Sequence, residues 1–410
     1  MRSQKLRLKL TREQEQLAWW YSKVSRNSWN LLVDIDKRNN KGEFDEILNK
    51  KGNKTYHSNF YDREIYRLTK SDYLNLVKIV INNDEDKEKW SWYNKPNQSF
   101  IYNFLSRELV KVRKHNKGKL NFRRIGKIQP NFNVTCCISS NKKRPSRIYL
   151  KKNGMLQIPT LGDVRFGSVR PDCDLSCKKQ VANISFDGKY WYLSYTEDID
   201  IQTTNILDYT DGVGIDLGIK TLATVSDGTS IPNIKTFRRV RILNKRLKRL
   251  QRKVSRKYCI NKCKKHNKTK NIIKIERQIK LIYRSLRNIR INHIRKFVSD
   301  LVKKQPQYIA IEDLNVKGMM KNKYLSKDIA NCSFYKIKEH IIRKAKERLI
   351  AVRLVNRFYP SSKTCSNCGH YKQNLKLSQR IYHCDSCHEK IDRDFNASLN
   401  IATTNNYVLV

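Results

Sequence analysis

Gly212-Val213-Gly214-Ile215-Asp216-Leu217-Gly218 is a short apolar run that ends at a single carboxylate, Asp216. Residues Thr221 to Val225 and the turn Asp227-Gly228 follow it. The pattern predicts a strand, a turn and a second strand, which is how an α/β domain opens. A further apolar strand, Tyr308 to Ile311, ends at Glu312 in the same way. The second half of the chain is therefore expected to contain a sheet whose strands end in acidic residues.

Three carboxylates stand at the ends of predicted elements. Asp216 and Glu312 each end a strand, and Asp394 begins the last helix. Carboxylates in these positions can converge on two Mg²⁺ ions, which lie about 3.5–4 Å apart in two-metal phosphodiester cleavage. Oxygen ligands suit Mg²⁺ or Mn²⁺ better than zinc. Asp313 and Asp392 are the alternatives at their positions, and a single acid at a strand end is commonly only a capping or surface group.

The most specific motif is Cys365-x-x-Cys368, fifteen intervening residues, and Cys384-x-x-Cys387. This is zinc-ribbon spacing, in which two knuckles and an intervening β-hairpin close a tetrahedral site. Four thiolates leave no open coordination position, so the one zinc ion predicted here is structural. Other residues that could take part in metal binding are His370, His383 and His388 beside the motif, and the more weakly patterned pairs Cys173/Cys177 and Cys259/Cys263.

The charge of the chain predicts a polyanionic partner. Lysine and arginine total 86 against 37 acidic residues, which gives a formal net charge of +49. A compact body with this charge repels itself unless it meets a polyanion, and nucleic acid is the expected one. A solvated lysine-rich surface or an anionic membrane are the alternatives. The sequence has no long apolar run and no signal peptide, so no membrane segment and a reducing, cytoplasmic location are expected.

A basic helical hairpin is predicted over residues 238–303. Val240, Leu243, Leu247 and Leu250 are spaced 3 and 4 apart, and Ile272 to Ile289 repeats this spacing, as in an antiparallel coiled coil. Between Arg238 and Lys257 there are eleven basic residues and no acidic one. An unrelieved basic face favours phosphate contact over simple solvation. The predicted contacts are Arg238, Arg239, Arg241, Lys245, Arg246, Lys248, Arg249, Arg252, Lys253, Arg256 and Lys257.

The first half of the chain predicts a small β-domain interrupted by helices. Thr11-Arg12-Glu13-Gln14 resembles a capping box, and Leu17, Tyr21, Val24 and later residues recur at helical spacing. Residues 147–195 alternate in polarity around turns at Lys152-Asn153-Gly154 and Asp187-Gly188, which favours a β-barrel. Trp19, Trp20 and Trp29 are interpreted as packing residues rather than base-stacking platforms.

Four motifs together resemble the TnpB family, which is related to the compact type V CRISPR effector nucleases. They are Gly214-Ile215-Asp216-Leu217-Gly218-Ile219-Lys220, Ile311-Glu312-Asp313-Leu314-Asn315, Pro360-Ser361-Ser362-Lys363-Thr364-Cys365-Ser366-Asn367-Cys368-Gly369 and Asp392-Arg393-Asp394-Phe395-Asn396-Ala397-Ser398. The resemblance is dense over about residues 210–402 and weaker before them. Ser398 stands where the family usually has alanine.

The resemblance implies a multidomain α+β fold. Its parts are a β-barrel, wedge-like domain (1–10 and 126–198), a helical recognition lobe inserted in it (11–125), a linker (199–211), an RNase H-like (RuvC) α/β nuclease domain (212–362 and 391–410) and an inserted zinc ribbon (363–390). The basic hairpin 238–303 belongs to the nuclease domain.

The activity implied by the resemblance is RNA-guided, Mg-dependent cleavage of DNA by a protein of a transposon-type element. The partners would be a guide RNA and double-stranded target DNA, and the family's three RuvC acids fall on Asp216, Glu312 and Asp394. The implied cofactors are one structural zinc ion and two catalytic Mg²⁺ ions. Alternatives are a guided DNA-binding protein without cleavage, which intact acids disfavour, and a transposase or Holliday-junction resolvase. A ribbon between Glu312 and Asp394 favours the TnpB interpretation over these last two.

Overall fold

The computed structural model of the protein describes residues 2–49, 55–58, 61–66, 68–94, 98–109, 111–112, 120–124, 129–135, 148–167, 181–197, 211–263, 268–376 and 378–410. The chain divides into two compact units, Met1–Ile199 and Asp200–Val410. Apart from Asp211, the predicted linker 199–211 lies outside the described residues, as do Cys173 and Cys177.

The first unit contains an antiparallel sheet of seven described strands. They are β1 (Arg2–Lys9), β4 (Asn131–Thr135), β5 (Tyr149–Leu150), β6 (Leu156–Ile158), β7 (Gly162–Phe166), β8 (Val181–Phe186) and β9 (Trp191–Glu197). Their order is β4-β8-β9-β1-β7-β6-β5, so the N-terminal strand lies in the middle. Among the described residues β4 and β5 are the edges and no pairing joins them, so the predicted barrel is observed only as an open sheet.

The rest of the first unit is helical, with one hairpin. It consists of α1 (Arg12–Asn40), α2 (Asp45–Asn49), β2 (Thr55–Ser58), β3 (Tyr61–Tyr66), α3 (Lys70–Asn82) and α4 (Gln98–Asn103), which continues as a π-helical turn over Phe104–Glu108. The predicted capping box of α1 is confirmed: the Gln14 amide donates to Thr11 Oγ1 (3.2 Å), and the Thr11 amide donates to Gln14 Oε1 (3.1 Å).

The buried face of α1 was predicted correctly except in its first turns. Val24, Leu31 and Ile35 are buried, but Leu17 is 43% exposed, so its predicted burial is wrong. The buried stripe there runs instead through Ala18, Ser22 and Ser25 (all buried), small residues that a hydrophobic pattern does not register.

The three tryptophans of α1 have different environments. Trp29 is 3% exposed and its indole N–H donates to the Asn121 carbonyl (3.0 Å), so the interpretation as a packing residue is confirmed for it. Trp19 packs edge-on against Trp191, with ring centroids 5.3 Å apart, yet it stays partly exposed, as does Trp20.

The second unit is built on a mixed sheet of six described strands. They are β10 (Val213–Asp216), β11 (Thr221–Val225), β12 (Ser230–Pro232), β13 (Tyr308–Glu312), β14 (Ala351–Val355) and β17 (Tyr407–Leu409), in the order β12-β11-β10-β13-β14-β17. β10, β13 and β14 are parallel, and the other neighbours are antiparallel. The predicted strand–turn–strand opening and the strand ending at Glu312 are confirmed.

The helices of this unit are α5 (Arg238–Cys263), α6 (Lys270–Lys303), α7 (Val316–Met319), α8 (Ser326–Cys332), α9 (Phe334–Lys346) and α10 (Arg393–Thr403). A two-stranded ribbon, β15 (Ile381–His383) and β16 (Lys390–Asp392), precedes α10. α5 and α6 form the predicted antiparallel hairpin: Gln251 bonds to Tyr283, and Tyr258, about two turns further on, bonds to Glu276, which lies earlier in α6. Val240, Leu247, Ile282 and Leu286 form its buried seam.

Strand alternation gives the two faces of the six-stranded sheet different partners. Ile215 and Ile309 point to a core shared with α6 and α9. Successive side chains alternate between faces, so Gly214 and Ala310, which are paired in register, face the other way. α10 lies on that second face, where Ala310 packs with Ile401.

Gly214 allows α10 to approach the sheet. A Cβ atom at this position would lie 2.1 Å from the Ser398 carbonyl oxygen and 2.4 Å from the Ala402 nitrogen, both backbone atoms of α10. Backbone atoms cannot move aside as a flexible side chain can, so any larger residue would displace the helix.

We predict that Gly214→Ala lowers the free energy of unfolding by about 1–3 kcal/mol, the usual cost of overpacking a close-packed contact. Differential scanning calorimetry should therefore show the midpoint of thermal unfolding falling by several degrees. The matched control is Gly167→Ala, because a Cβ there meets nothing closer than 3.7 Å. Equal midpoints for the two variants would contradict the prediction.

Candidate functional site

Four cysteines from two separated segments converge at one point. The sulfur atoms of Cys365, Cys368, Cys384 and Cys387 all lie within 4.8 Å of one another. Cys365 and Cys387 are 3.6 Å apart, and Cys368 and Cys384 are 3.5 Å apart. A tetrahedral ion with metal–sulfur distances of about 2.3 Å would place its sulfurs about 3.8 Å apart. The cluster therefore fits a thiophilic metal ion such as zinc.

The backbone of each knuckle is shaped for this convergence. The residue after the second cysteine adopts a left-handed conformation in both, with φ of 74° at Gly369 and 58° at His388. The Cys387 amide points at the Cys384 sulfur (3.5 Å), and backbone N–H groups lower the pKa of the Cys384 thiol to about 6. These N–H groups thus favour the thiolate form of Cys384, the form that binds a metal ion.

The arrangement of strands around the cysteines differs from the prediction. β15 and β16 flank the second knuckle, whereas the prediction placed a hairpin between the two knuckles. An isolated bridge between Thr364 and Tyr371 flanks the first knuckle instead. The buried Tyr382 joins the two halves, because its hydroxyl donates to the carbonyls of Lys363 and His370.

Asp216, Glu312 and Asp394 are neighbours on the α10 face of the sheet. Asp216 follows Gly214 by two residues and Glu312 follows Ala310 by two, so alternation places both acids on the face that α10 covers. Asp394 lies in the first turn of α10. Burial, with the charges of Glu312 and Asp394, raises the pKa of Asp216 to about 8. Glu312 and Asp394 are thus close enough to Asp216 to destabilise its ionised form, an effect that a bound cation would relieve.

The three carboxylates are less tightly grouped than the cysteines. The four cysteine sulfurs all lie within 4.8 Å of one another. Among the described residues, the carboxylate oxygens of the three acids do not lie this close together. Two cations about 3.5–4 Å apart need wider ligand spacing than one ion does. The carboxylate atoms of the three acids are therefore not grouped as closely as the ligands of a single tetrahedral ion.

Glu312 is held in place by a serine. The Ser361 hydroxyl donates to Glu312 Oε1 (2.7 Å), and Ser361 is itself buried. Burial raises the pKa of Glu312, and the bond from Ser361 opposes that rise by favouring the carboxylate. The serine thus holds the acid in place and favours its ionised form.

The two alternative acids have structural partners of their own. Asp313 accepts bonds from Lys338 (2.6 Å) and Arg357 (3.0 Å), which lower its pKa. Asp392 is the N-cap of α10, and its Oδ1 accepts the amide N–H groups of Asp394 (2.9 Å) and Phe395 (3.0 Å). Asp394 instead has Arg380 as its nearest cation, at 3.8 Å.

Two buried asparagines of α10 connect the helix to the segment that carries Ser361 and Cys365. Asn396 donates to the Thr364 carbonyl (2.8 Å) and accepts the Ser366 amide (2.9 Å). Asn400 donates to the carbonyls of Ser361 (2.8 Å) and Thr364 (2.7 Å). The cysteine cluster, the serine that holds Glu312 and the helix that carries Asp394 are thus joined through one short segment.

The sequence analysis did not assign roles to Ser361, Asn396, Asn400 or Arg380. A signal existed for the asparagines, which are poor helix formers spaced four residues apart inside a helix. Such residues in a buried helix face need polar partners. Ser361 and Arg380 carry no comparable signal, because their partners are distant in sequence.

The basic residues of α5 lie where the hairpin meets solvent. Ten of the eleven are exposed and Lys257 is partly buried. In the part of the chain that the structure describes, none of them has an acidic partner within ion-pair distance. No described helix combines the length and the apolar character needed to cross a membrane.

Comparison with known proteins finds relatives for the second unit in particular. A family model described as "Cas12f1-like, TNB domain" matches residues 334–401, and OrfB_IS605, described as "Probable transposase", matches residues 199–323. A Streptomyces pristinaespiralis protein named "Putative RNA-guided DNA endonuclease" is 30% identical over 64% of this chain and 63% of its own length. The "TnpB-like protein L79" of Acanthamoeba polyphaga mimivirus is 30% identical over 46% of this chain and 36% of its own. The resemblance to TnpB is confirmed.

The match to these two relatives spans less than two thirds of their length. Among solved structures, that of a Cas12f1–sgRNA–target DNA complex aligns over 98% of this chain and 99% of its own, at 14% identity and a TM-score of 0.32.

We predict that replacing Cys384 and Cys387 together by serine reduces the tightly bound metal from about one ion per chain to nearly none, because two thiolates are lost. Elemental analysis of the purified protein measures this directly, and zinc is the expected element. The control is Cys259→Ser, an exposed cysteine outside the cluster. Retention of the ion in the double variant would exclude the cysteine cluster as its site.

Proposed function

We propose that this protein is an RNA-guided, metal-dependent DNA endonuclease of the TnpB type, encoded by a transposon-type element. The observation that supports this best is that Asp216 and Glu312 share one sheet face, to which α10 brings Asp394. The relative named as an RNA-guided DNA endonuclease matches this chain over 63% of its length, so the guide RNA and the double-stranded DNA target are part of the proposal.

The proposed domain arrangement follows the same reasoning. Residues 212–362 and 391–410 would form an RNase H-like (RuvC) nuclease domain, in which the parallel strands β10 and β13 each end in an acidic residue. Residues 363–390 would form a zinc ribbon inserted in it. Residues 1–10 and 126–198 would form a wedge-like β-domain, and residues 11–125 a recognition lobe.

Asp216, Glu312 and Asp394 would hold two Mg²⁺ ions. Their carboxylate oxygens are hard ligands of the kind this ion takes, and burial together with the charges of Glu312 and Asp394 raises the pKa of Asp216, a rise that a bound cation would oppose. When bound, the ions would stabilise the attacking and leaving oxygens of the scissile phosphate. Ser361 would keep Glu312 ionised and oriented.

The exposed basic face of α5 would hold the phosphate backbone of the guide RNA or target DNA. Eleven cations that form no ion pair among the described residues lie along this one helix, and neutralising phosphates releases counterions, which favours binding. Contacts of this kind carry no sequence information, as expected where base pairing with a guide provides specificity.

A transposase that joins DNA strands is the second candidate, because the family model described as "Probable transposase" spans both Asp216 and Glu312. The two functions differ in product: hydrolysis leaves cut ends, whereas strand transfer joins one DNA to another. Formation of joined products would favour the transposase.

We predict that Asp216→Asn, Glu312→Gln and Asp394→Asn each slow DNA cleavage by at least about a thousandfold, since each loses a metal ligand worth several kcal/mol in the transition state. Binding of RNA and DNA should persist. The assay uses the protein with its co-purified RNA, Mg²⁺, and plasmids that carry a sequence matched to that RNA beside a randomised flank.

The matched controls for the triad are Asp313→Asn and Asp392→Asn. The first weakens only ion pairs on the opposite face, and the second keeps a side chain that caps helices as well as aspartate does. Both should cut at close to the parental rate. If all three triad variants cut like the parent, the nuclease site lies elsewhere; if Asp392→Asn alone abolishes cutting, Asp392 is the third ligand.

We predict that replacing Lys245, Lys248 and Arg252 together by glutamine flattens the salt dependence of nucleic-acid binding. Each lost phosphate contact should reduce the slope of log affinity against log salt by roughly 0.7–0.9. The control replaces Lys336, Arg343 and Lys344, whose charges are already paired with Glu339 and Glu347. Equal slopes for the parent and the α5 variant would show that this face is only solvated.

A further inference from the structure

A single phenylalanine projects into solvent beside the proposed nuclease site. Phe358 is 86% exposed, whereas no other phenylalanine among the described residues exceeds 41%. Exposing an aromatic ring to water is unfavourable, and neither the core nor the acid site described above uses this side chain. The ring is therefore available to a partner.

The position of Phe358 is fixed relative to Glu312. It lies in the loop that leaves β14, and both ends of that loop contact Glu312 or its strand. Val355, the last residue of β14, is the register partner of Glu312. Ser361, at the far end, donates to the Glu312 carboxylate (2.7 Å). Phe358 is in the middle of this loop. The loop follows the C-terminal end of β14, and the neighbouring parallel strands β10 and β13 end in acids on the same side of the sheet.

Hydrogen bonds and packing within the loop keep the ring directed away from the core. The Phe358 amide donates to Asn356 Oδ1 (2.9 Å), and the Tyr359 amide donates to the Asn356 carbonyl (3.0 Å). Asn356 is itself tied to Asn406 through a backbone bond (3.1 Å). Tyr359 packs against the core formed by Ala310, Val355 and Ile401. With Tyr359 turned inward and the turn closed, its neighbour Phe358 cannot reach the core.

An unpaired nucleobase is the partner that fits this ring. A nuclease site acts on one strand, and aromatic side chains on single-stranded nucleic-acid paths stack on bases whatever their identity. Arg357, beside the ring, is already engaged by Asp313 (3.0 Å), so Phe358 offers its apolar face rather than a competing charge. We propose that Phe358 stacks on a base of the DNA strand being cut and thereby positions the adjacent phosphate at Asp216, Glu312 and Asp394. This proposal rests on the proposed nuclease function.

The first test is a cross-linking experiment that needs no cleavage. The Asp216→Asn protein with its co-purified RNA is bound to matched DNAs that each carry one 5-iododeoxyuridine at successive positions. Irradiation followed by peptide mass spectrometry should find one DNA position cross-linked to the peptide containing Phe358. The cross-link should persist in Phe358→Tyr, disappear in Phe358→Leu and be unaffected by Leu349→Ser. Leu349 is an exposed apolar residue (56%) that precedes β14, so it lies at the opposite end of that strand from Phe358.

The second test measures single-turnover cleavage by the chain with Asp216 intact. Phe358→Leu should cut about tenfold more slowly, the size expected for losing one base stack, and Phe358→Tyr should restore the rate. Removing the base at the cross-linked position should slow the parent by a similar factor. The two changes together should be no worse than either alone, because they remove the same contact.

The outcomes separate this proposal from the nuclease function. No cross-link near Phe358, together with parental cutting by Phe358→Leu, would overturn the stacking role and leave the function intact. Equal slowing by Phe358→Leu and Leu349→Ser would also overturn it. If the parent cuts no matched DNA while Phe358 still cross-links, the base contact stands and the nuclease function fails.

Discussion

The close contact between α10 and β10 is the constraint on which the second unit depends. With glycine at position 214, the helix backbone approaches the sheet closely enough for Asp394 to share a face with Asp216 and Glu312. No side-chain adjustment could replace this approach, because the atoms that would collide belong to the backbone of α10. Gly214 has no functional side chain, yet it determines how the three acids are placed relative to one another.

A second level of organisation comes from the segment between Ser361 and Ser366. Asn396 and Asn400 hold it to α10, Ser361 reaches back to Glu312, and Cys365 belongs to the cysteine cluster. These buried polar groups are hydrogen-bonded, so the segment has one well-defined position. A metal ion at the cysteines would stabilise one end of this segment. The role of that ion would be structural and not catalytic.

The sequence predicted those features that local patterns encode. Cysteine spacing identified the four-thiolate cluster, heptad spacing identified the α5–α6 hairpin, and apolar runs identified the strands that end at Asp216 and Glu312. The sequence did not predict β17, because a strand of three residues is too short to show an alternating pattern. It also did not predict α3, although Thr69 and Asp72 form a capping box there. Leu17 was placed wrongly because the buried face of α1 is lined there by alanine and serine. Ser361 could not be found, because its role depends on a partner 49 positions away that only the tertiary fold brings near.

The order of the acids along the chain has a consequence for folding during synthesis. Asp216 and Glu312 emerge first, but Asp394 follows the whole cysteine module, and the contact between α10 and Gly214 joins residues more than 180 positions apart. Contacts of such long range form late, because the entropy of closing a long loop must be overcome first. A growing chain therefore holds two of its acids without the third until the cysteine module has left the ribosome, so on the proposed function the nascent protein cannot cleave nearby nucleic acid.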